Sequence, residues 1–114
     1  KRIVFNILVS NTDDHLRNHG FLLSEKGWTL SPLFDVNPNP YGEFLSLNIS
    51  DNDSSLSLEL AQDVCELYGL PAAKAKAAIT EMQKIVCANW RKIATKNGIS
   101  RNEQSFMESA FASR

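Results

Sequence analysis

The sequence predicts a mainly α protein with one small β-hairpin. From Ser57 onward, apolar residues recur at helical spacing almost to the end of the chain. Only one stretch, "GFLLSEKGWTLS", sets two short apolar runs around a polar turn. The chain has 114 residues, 43% of them hydrophobic and 22% charged. That suits one domain with a modest core and argues against disorder.

Residues 2–9 are apolar apart from Arg2 at their start and one asparagine, Asn6. Ile3 with Ile7 and Val4 with Leu8 are spaced i,i+4, so the segment is expected to be a buried helix. Polar residues 10–19 end it. The hairpin follows, with "SEKG" as its turn, and Pro32 stops its second strand. "NPNPYG" (37–42) must be a loop, because two prolines and a glycine continue neither regular structure. "FLSLNIS" alternates, with Leu45, Leu47 and Ile49 on one face, and is expected to be a short strand. "DNDSS" is a turn. A helix from Ser57 is expected to bury Leu60, Val64, Leu67 and Tyr68 and to stop at Gly69. Pro71 suits the first turn of the next helix. That helix aligns Ala75, Ile79, Met82, Val86, Trp90 and Ile93, and ends at Gly98. "SRNE" (100–103) has the spacing of a capping box. The last helix then offers Phe106, Met107, Ala110 and Phe111.

Composition excludes some function classes. The formal net charge is −1, so no global electrostatic footprint for nucleic acid exists. No apolar run is long enough to span a membrane, and no stretch reads as a secretory signal. Cys65 and Cys87 lack CxxC spacing and a neighbouring histidine, so both are expected to be buried thiols of a reducing compartment. A cytoplasmic protein is expected. Lys1 opens directly on an apolar segment, which suggests a piece of a longer chain.

The chemistry concentrates in "NTDDHLRN", residues 11–18. Two carboxylates, a histidine, an arginine and two asparagines stand beside the greasy first helix. Asn18 lies five residues after Asp13, and Asp35 in "LFDV" follows the hairpin. Kinases use that order of parts. A loop Asp accepts the proton of the attacking hydroxyl. An Asn five residues on and a second Asp beyond a hairpin offer oxygen ligands to Mg²⁺, a hard ion. Asp14 competes with Asp13 for the base, but only Asp13 has Asn at +5. Asp14 is then expected to face solvent or cap a turn. His15 is expected either to orient the loop through a backbone carbonyl or to be a plain surface residue. Arg17 either approaches the transferred phosphate or is a surface cation. His19 is expected to be structural. Asn11 and Thr12 are expected to hold the loop by side-chain-to-backbone bonds. The bland alternative is a polar turn, since Asp, Asn and His favour turns for conformational reasons.

Thr12, Asp13, His15, Arg17 and Asn18, with Leu30, Ser31, Pro32, Phe34, Asp35 and Val36, resemble the two motifs of the HipA family. These are bacterial serine/threonine kinase toxins of toxin–antitoxin pairs. The later "LSLNIS", "SLELAQDVCELYGLP" and the long helix also resemble that family's C-terminal region. The resemblance implies the C-terminal lobe of a protein-kinase-like (HipA-like) fold. Residues 1–36 would be the catalytic-loop and metal-binding segment, and residues 57–114 helical support. It implies Asp13 as catalytic base and Asn18 and Asp35 as the ligands of Mg²⁺ and so of ATP. His15 and Arg17 would be loop residues without an assigned step. It also implies a protein substrate, with aminoacyl-tRNA synthetases known as targets, and an antitoxin that alone contacts DNA. The five glycines form no G-x-G, and no lysine sits in a V-A-I-K-like strand. The phosphate cradle would therefore belong to an N-terminal part, and the chain by itself is expected not to transfer phosphate. Two other functions compete. One is a non-catalytic kinase-like lobe that binds a protein or antitoxin. The other is a metal-dependent hydrolase using Asp13, Asp14, His15 and Asp35.

Overall fold

A computed structural model describes residues 1–112. Its order is α1 (Arg2–Leu8), β1 (Phe21–Ser24), β2 (Gly27–Leu30), α2 (Leu58–Asp63), α3 (Ala72–Lys96) and α4 (Arg101–Phe106). Short 3₁₀ turns cover Leu16–Asn18, Cys65–Tyr68 and Glu108–Phe111. The architecture is mostly helical with one two-stranded antiparallel hairpin, as expected.

The core forms where α1 packs on α2 and α3. Ile7 and Leu8 are fully buried and meet Val4, Ile49, Leu58 and Val86. An α-helix of seven residues is too short to persist alone. Its stability comes from this burial, which is why an apolar run with so few polar breaks forms α1.

Three helical segments end alike. After the 3₁₀ turn Cys65–Tyr68, Gly69 takes φ 68°, Gly69 N donates to Glu66 O and Leu70 N to Cys65 O. After α3, Gly98 takes φ 79°, Gly98 N donates to Thr95 O and Ile99 N to Ala94 O. Each is a Schellman closure, in which a left-handed residue lets two amides turn back on the last carbonyls. α1 closes in the same way with a serine. Ser10 has φ 48°, its N–H donates to Ile7 O at 3.2 Å, and Asn11 N donates to Asn6 O at 2.8 Å.

Several expectations need correction. Residues 44–50 form no strand; only an isolated bridge, Phe44 with Ser55, survives. The predicted alternation in burial holds nonetheless, with Leu45, Leu47 and Ile49 inward. Side chains there follow the core while the backbone lacks a neighbouring strand. Leu67 and Tyr68 are exposed, because α2 tightens into a 3₁₀ turn after Asp63 and rotates the stripe toward Leu58 and Cys65. Ile93 and Phe106 are exposed as well. Cys65 is a buried thiol, but Cys87 lies on the exposed side of α3. Pro71 is the N-cap of α3 rather than a residue of its first turn. The capping box at Ser100 and Glu103 is present in both its bonds. Among the described residues no helix is long and apolar enough to cross a membrane.

Candidate active site

The left-handed turn at Ser10 swings the chain off α1 into the 11–18 loop. Asn11 is 1% exposed and anchors the loop's start. Its Oδ1 accepts from Asn37 N at 3.1 Å, the side-chain-to-backbone bond the sequence suggests. Thr12 is tied mainly from outside: Asn39 Nδ2 donates to its hydroxyl at 3.1 Å and Ser46 Oγ to its carbonyl at 2.6 Å.

Asp13 and Asp14 then diverge. Asp13 is exposed. Asp14 is buried, accepts a hydrogen bond from Asn6 Nδ2, and lies 3.7 Å from His19 Nε2. The expectation that Asp14 faces solvent is overturned. A buried carboxylate needs partners, and α1 supplies one through Asn6. His15 does not orient the loop through a carbonyl, since its Nδ1 is buried with no hydrogen-bond partner. His19 takes that part, with Nδ1 donating to His15 O at 3.1 Å. Arg17 is exposed and forms no ion pair among the described residues.

The 3₁₀ turn Leu16–Asn18 points Asn18 inward, where it is 4% exposed. Arg2 braces this turn from α1: Nη1 donates to Asn18 O at 3.3 Å and Nη2 to Ser31 O at 2.6 Å. One guanidinium thereby holds both the start and the exit of the hairpin, using its rigid fork of donors. The ladder extends to Gly20 and Ser31, whose N–H donates to Gly20 O at 2.8 Å. The chain therefore returns beside the loop it left.

Asp35 arrives there with φ 54°. A positive φ is uncommon outside glycine, though aspartate tolerates it better than most residues. It turns the carboxylate toward the loop. Asn18 Nδ2 donates to Asp35 Oδ2 at 3.2 Å, and Asn37 Nδ2 donates to Asp35 Oδ1 at 2.9 Å. Of the expected site residues, the structure thus joins Asn18 and Asp35 directly, across seventeen positions of sequence. Asp13 stands on the same loop, while His15 and Arg17 make no bond to the pair.

Chemically, a carboxylate and an amide oxygen are donors of the kind a hard cation takes; here Asn18 presents its nitrogen to Asp35, which leaves its oxygen on the other branch of the amide. Asp35 is exposed and meets only neutral amides, so its charge has no cationic partner among the described residues. No group of three His, Cys, Asp or Glu side chains able to hold a metal occurs among those residues. The sequence alone did not single out Asn6, Asn37 or Arg2. A polar residue at the centre of "IVFNILV" was the available signal for Asn6, since an amide amid apolar neighbours needs partners.

No curated protein and no solved structure matches the chain significantly. A family profile does, the HipA-like C-terminal domain, and it matches residues 1–90, which carry α1, the loop, the hairpin, Asp35 and most of α3. With that match over well more than half its length, and with the loop and Asp35 brought together as described, the chain belongs to the HipA-like C-terminal domain family.

Proposed function

We propose that this chain is the C-terminal lobe of a serine/threonine protein kinase of the HipA-like toxin type, with ATP as phosphoryl donor and Mg²⁺ as its metal. The observation that carries this is the contact of Asn18 with Asp35 at 3.2 Å. Two oxygen-bearing side chains seventeen positions apart meet, buried Asn18 with exposed Asp35, and Asn18 shares its loop with the exposed carboxylate of Asp13. Asn18 and Asp35 would hold the metal. Mg²⁺ when bound supplies positive charge to the nucleotide phosphates. Asp13 would accept the hydrogen bond, and then the proton, of a substrate serine or threonine hydroxyl. The left-handed conformation of Asp35, which turns its carboxylate toward Asn18, supports this reading. The aminoacyl-tRNA synthetase substrate and the antitoxin partner implied by the resemblance belong to this proposal.

The test is phosphoryl transfer from radiolabelled ATP by the full gene product and by its Asp13→Ala variant. Loss of transfer in the variant is the expected result, and unchanged transfer removes Asp13 from the mechanism. The 114-residue chain alone is expected to show no transfer.

A second reading, a non-catalytic kinase-like lobe that binds a protein, draws on the hairpin. The register pairs Phe21 with Leu30 and Leu23 with Trp28. All four stand on one face and are exposed, Trp28 by 69%. Solvent-facing apolar side chains in this density mark contact surfaces. A full gene product that binds its protein partner but neither Mg²⁺ nor ATP would favour this second reading.

A further inference from the structure

We infer that Asn6, Asn11 and Asn37 are positioning residues, a one-way relay of amides that fixes Asp35 against Asn18 from inside the fold. The inference rests on the proposed function for what the positioning serves, though not for the relay itself. Start at Asp14, whose Oδ2 accepts from Asn6 Nδ2. Asn6 Oδ1 therefore faces the other way and accepts from Asn11 Nδ2 at 3.1 Å. Asn11 Oδ1 in turn accepts from Asn37 N at 3.1 Å. Asn37 then donates through Nδ2 to Asp35 Oδ1 at 2.9 Å, and Asp35 Oδ2 receives Asn18 Nδ2 at 3.2 Å.

The orientation of every amide is determined. An asparagine side chain can present either end to a neighbour. Here a carboxylate oxygen stands at one end of the relay and a backbone N–H at the other. The N–H can only donate, so Asn11 must offer it oxygen. Asn11 must then offer nitrogen to Asn6, and Asn6 nitrogen to Asp14. Flipping either amide opposes two donors or two acceptors in a site where Asn6 and Asn11 are each 1% exposed. Water cannot relieve such a clash, so the arrangement is rigid.

The relay reaches the two positions that matter. Asn6 holds Asp14, the neighbour of Asp13. Asn37 holds both the backbone after Asp35 and one carboxylate oxygen. Asp35 sits at φ 54°, a conformation that persists where surroundings over-determine it, and Asn37 supplies two of those constraints. Groups that orient metal ligands from behind typically change metal affinity about ten- to a hundredfold when removed. Asn37 is exposed, so removing its amide puts the fold at little risk. Asn6 and Asn11 are the buried links.

The experiment uses the 114-residue chain labelled with ¹⁵N, Mn²⁺ as a paramagnetic stand-in for Mg²⁺, and variants Asn37→Ala and Asn11→Asp. Asn89→Asp on α3, away from the relay, where Asn89 donates to Ile85 O, is the control. Without metal, Asn11→Asp and Asn37→Ala should each shift the side-chain amide signals of Asn18, and Asn89→Asp should not. With Mn²⁺, broadening of the Asn18 and Asp35 signals should require about tenfold more metal in Asn37→Ala than in the parent chain. An unmoved Asn18 signal in Asn37→Ala, which retains its fold, overturns the relay. Shifted amides with an unchanged Mn²⁺ requirement overturn the positioning role and leave the kinase proposal standing. Shifted amides with no Mn²⁺ broadening even in the parent chain overturn the metal site, and the positioning role with it.

Discussion

Replacing Asn6 by leucine tests whether α1 is built for burial alone. Asn6 is 1% exposed inside an apolar helix, so a pure packing argument expects leucine to stabilise the chain. Fully burying a leucine side chain is worth about 1.5–3 kcal/mol. Against that, the substitution strips a donor from the buried Asp14 carboxylate and an acceptor from Asn11 Nδ2. Each stranded buried group costs about 1–3 kcal/mol, and more when charged. The penalties total roughly 3–5 kcal/mol, since Asp14 keeps only His19 at 3.7 Å. The net expectation is a loss of about 2 kcal/mol, or about 8 °C in Tm for a chain of this size. Urea unfolding followed by tryptophan fluorescence measures it. A double variant locates the cause: if the stranded carboxylate dominates, Asp14→Ala costs less on the Asn6→Leu background than on the parent. An Asn6→Leu chain as stable as the parent, or strictly additive effects in that cycle, would refute the polar account of α1.

Three further outcomes follow from the fold. Ile7→Ala, at a residue with no exposure, should cost about 2–5 kcal/mol by cavity formation, read from the urea midpoint. Ser10→Gly should unfold at higher urea than Ser10→Ala by about 1 kcal/mol; both lose the bond from Ser10 Oγ to Ala110 O at 2.9 Å, but only glycine relieves the left-handed φ. The carboxyls of Glu103 and Asp53 are held below the usual range by hydrogen bonds from the side chains and then the backbone amides of Ser100 and Ser55. A folded-state value below the unfolded one contributes stability above the unfolded value and loses it as pH falls through the folded value. The urea midpoint should therefore drop between about pH 5 and pH 3, and less steeply in a Ser100→Ala, Ser55→Ala double variant.

Local signals made much of the fold readable. α1, the hairpin, the stops at Gly69 and Gly98 and the capping box each depend on a few neighbouring residues, so a single sequence exposes them. Residues 44–50 show where this fails. Alternation reports which side chains face the core, and it does so correctly for Leu45, Leu47 and Ile49. It cannot report whether a second strand lies alongside, and none does. The same holds for Leu67 and Tyr68, where a turn tightened to 3₁₀ geometry shifts the buried stripe by a residue or two. In the site, the return of Asp35 to Asn18 was legible because a short hairpin brings the chain at its two ends together. Asp14 was misplaced because its inward turn depends on Asn6, eight residues back on another element. The stop of α1 at the polar run from Ser10 was legible, but its left-handed φ was not, because glycine announces such a turn by composition and serine does not, and the tertiary bonds of Ser10 to Ala110 and Asn39 lie outside local reading.

Those tertiary bonds also bear on how far the working unit extends. The family match ends at residue 90, yet residues beyond it grip the loop segments around the site. Ser10 Oγ donates to Ala110 O at 2.9 Å, and Ser109 Oγ donates to Pro40 O at 2.9 Å. The Phe111 ring stacks on Trp90, with centroids 4.4 Å apart and planes within 5°. Ser10 begins the loop that carries Asp13 and Asn18, and its carbonyl accepts from Asn39 N at 3.0 Å. Pro40 lies in the segment that follows Asp35 and Asn37. The last 3₁₀ turn is thus fastened to both strips of chain that must meet for Asn18 and Asp35 to touch. Packing alone would need only the aromatic stack. Two polar anchors, one to each strip, hold the strips in register with one another, so the residues after 90 belong to the site's scaffold as much as α1 does.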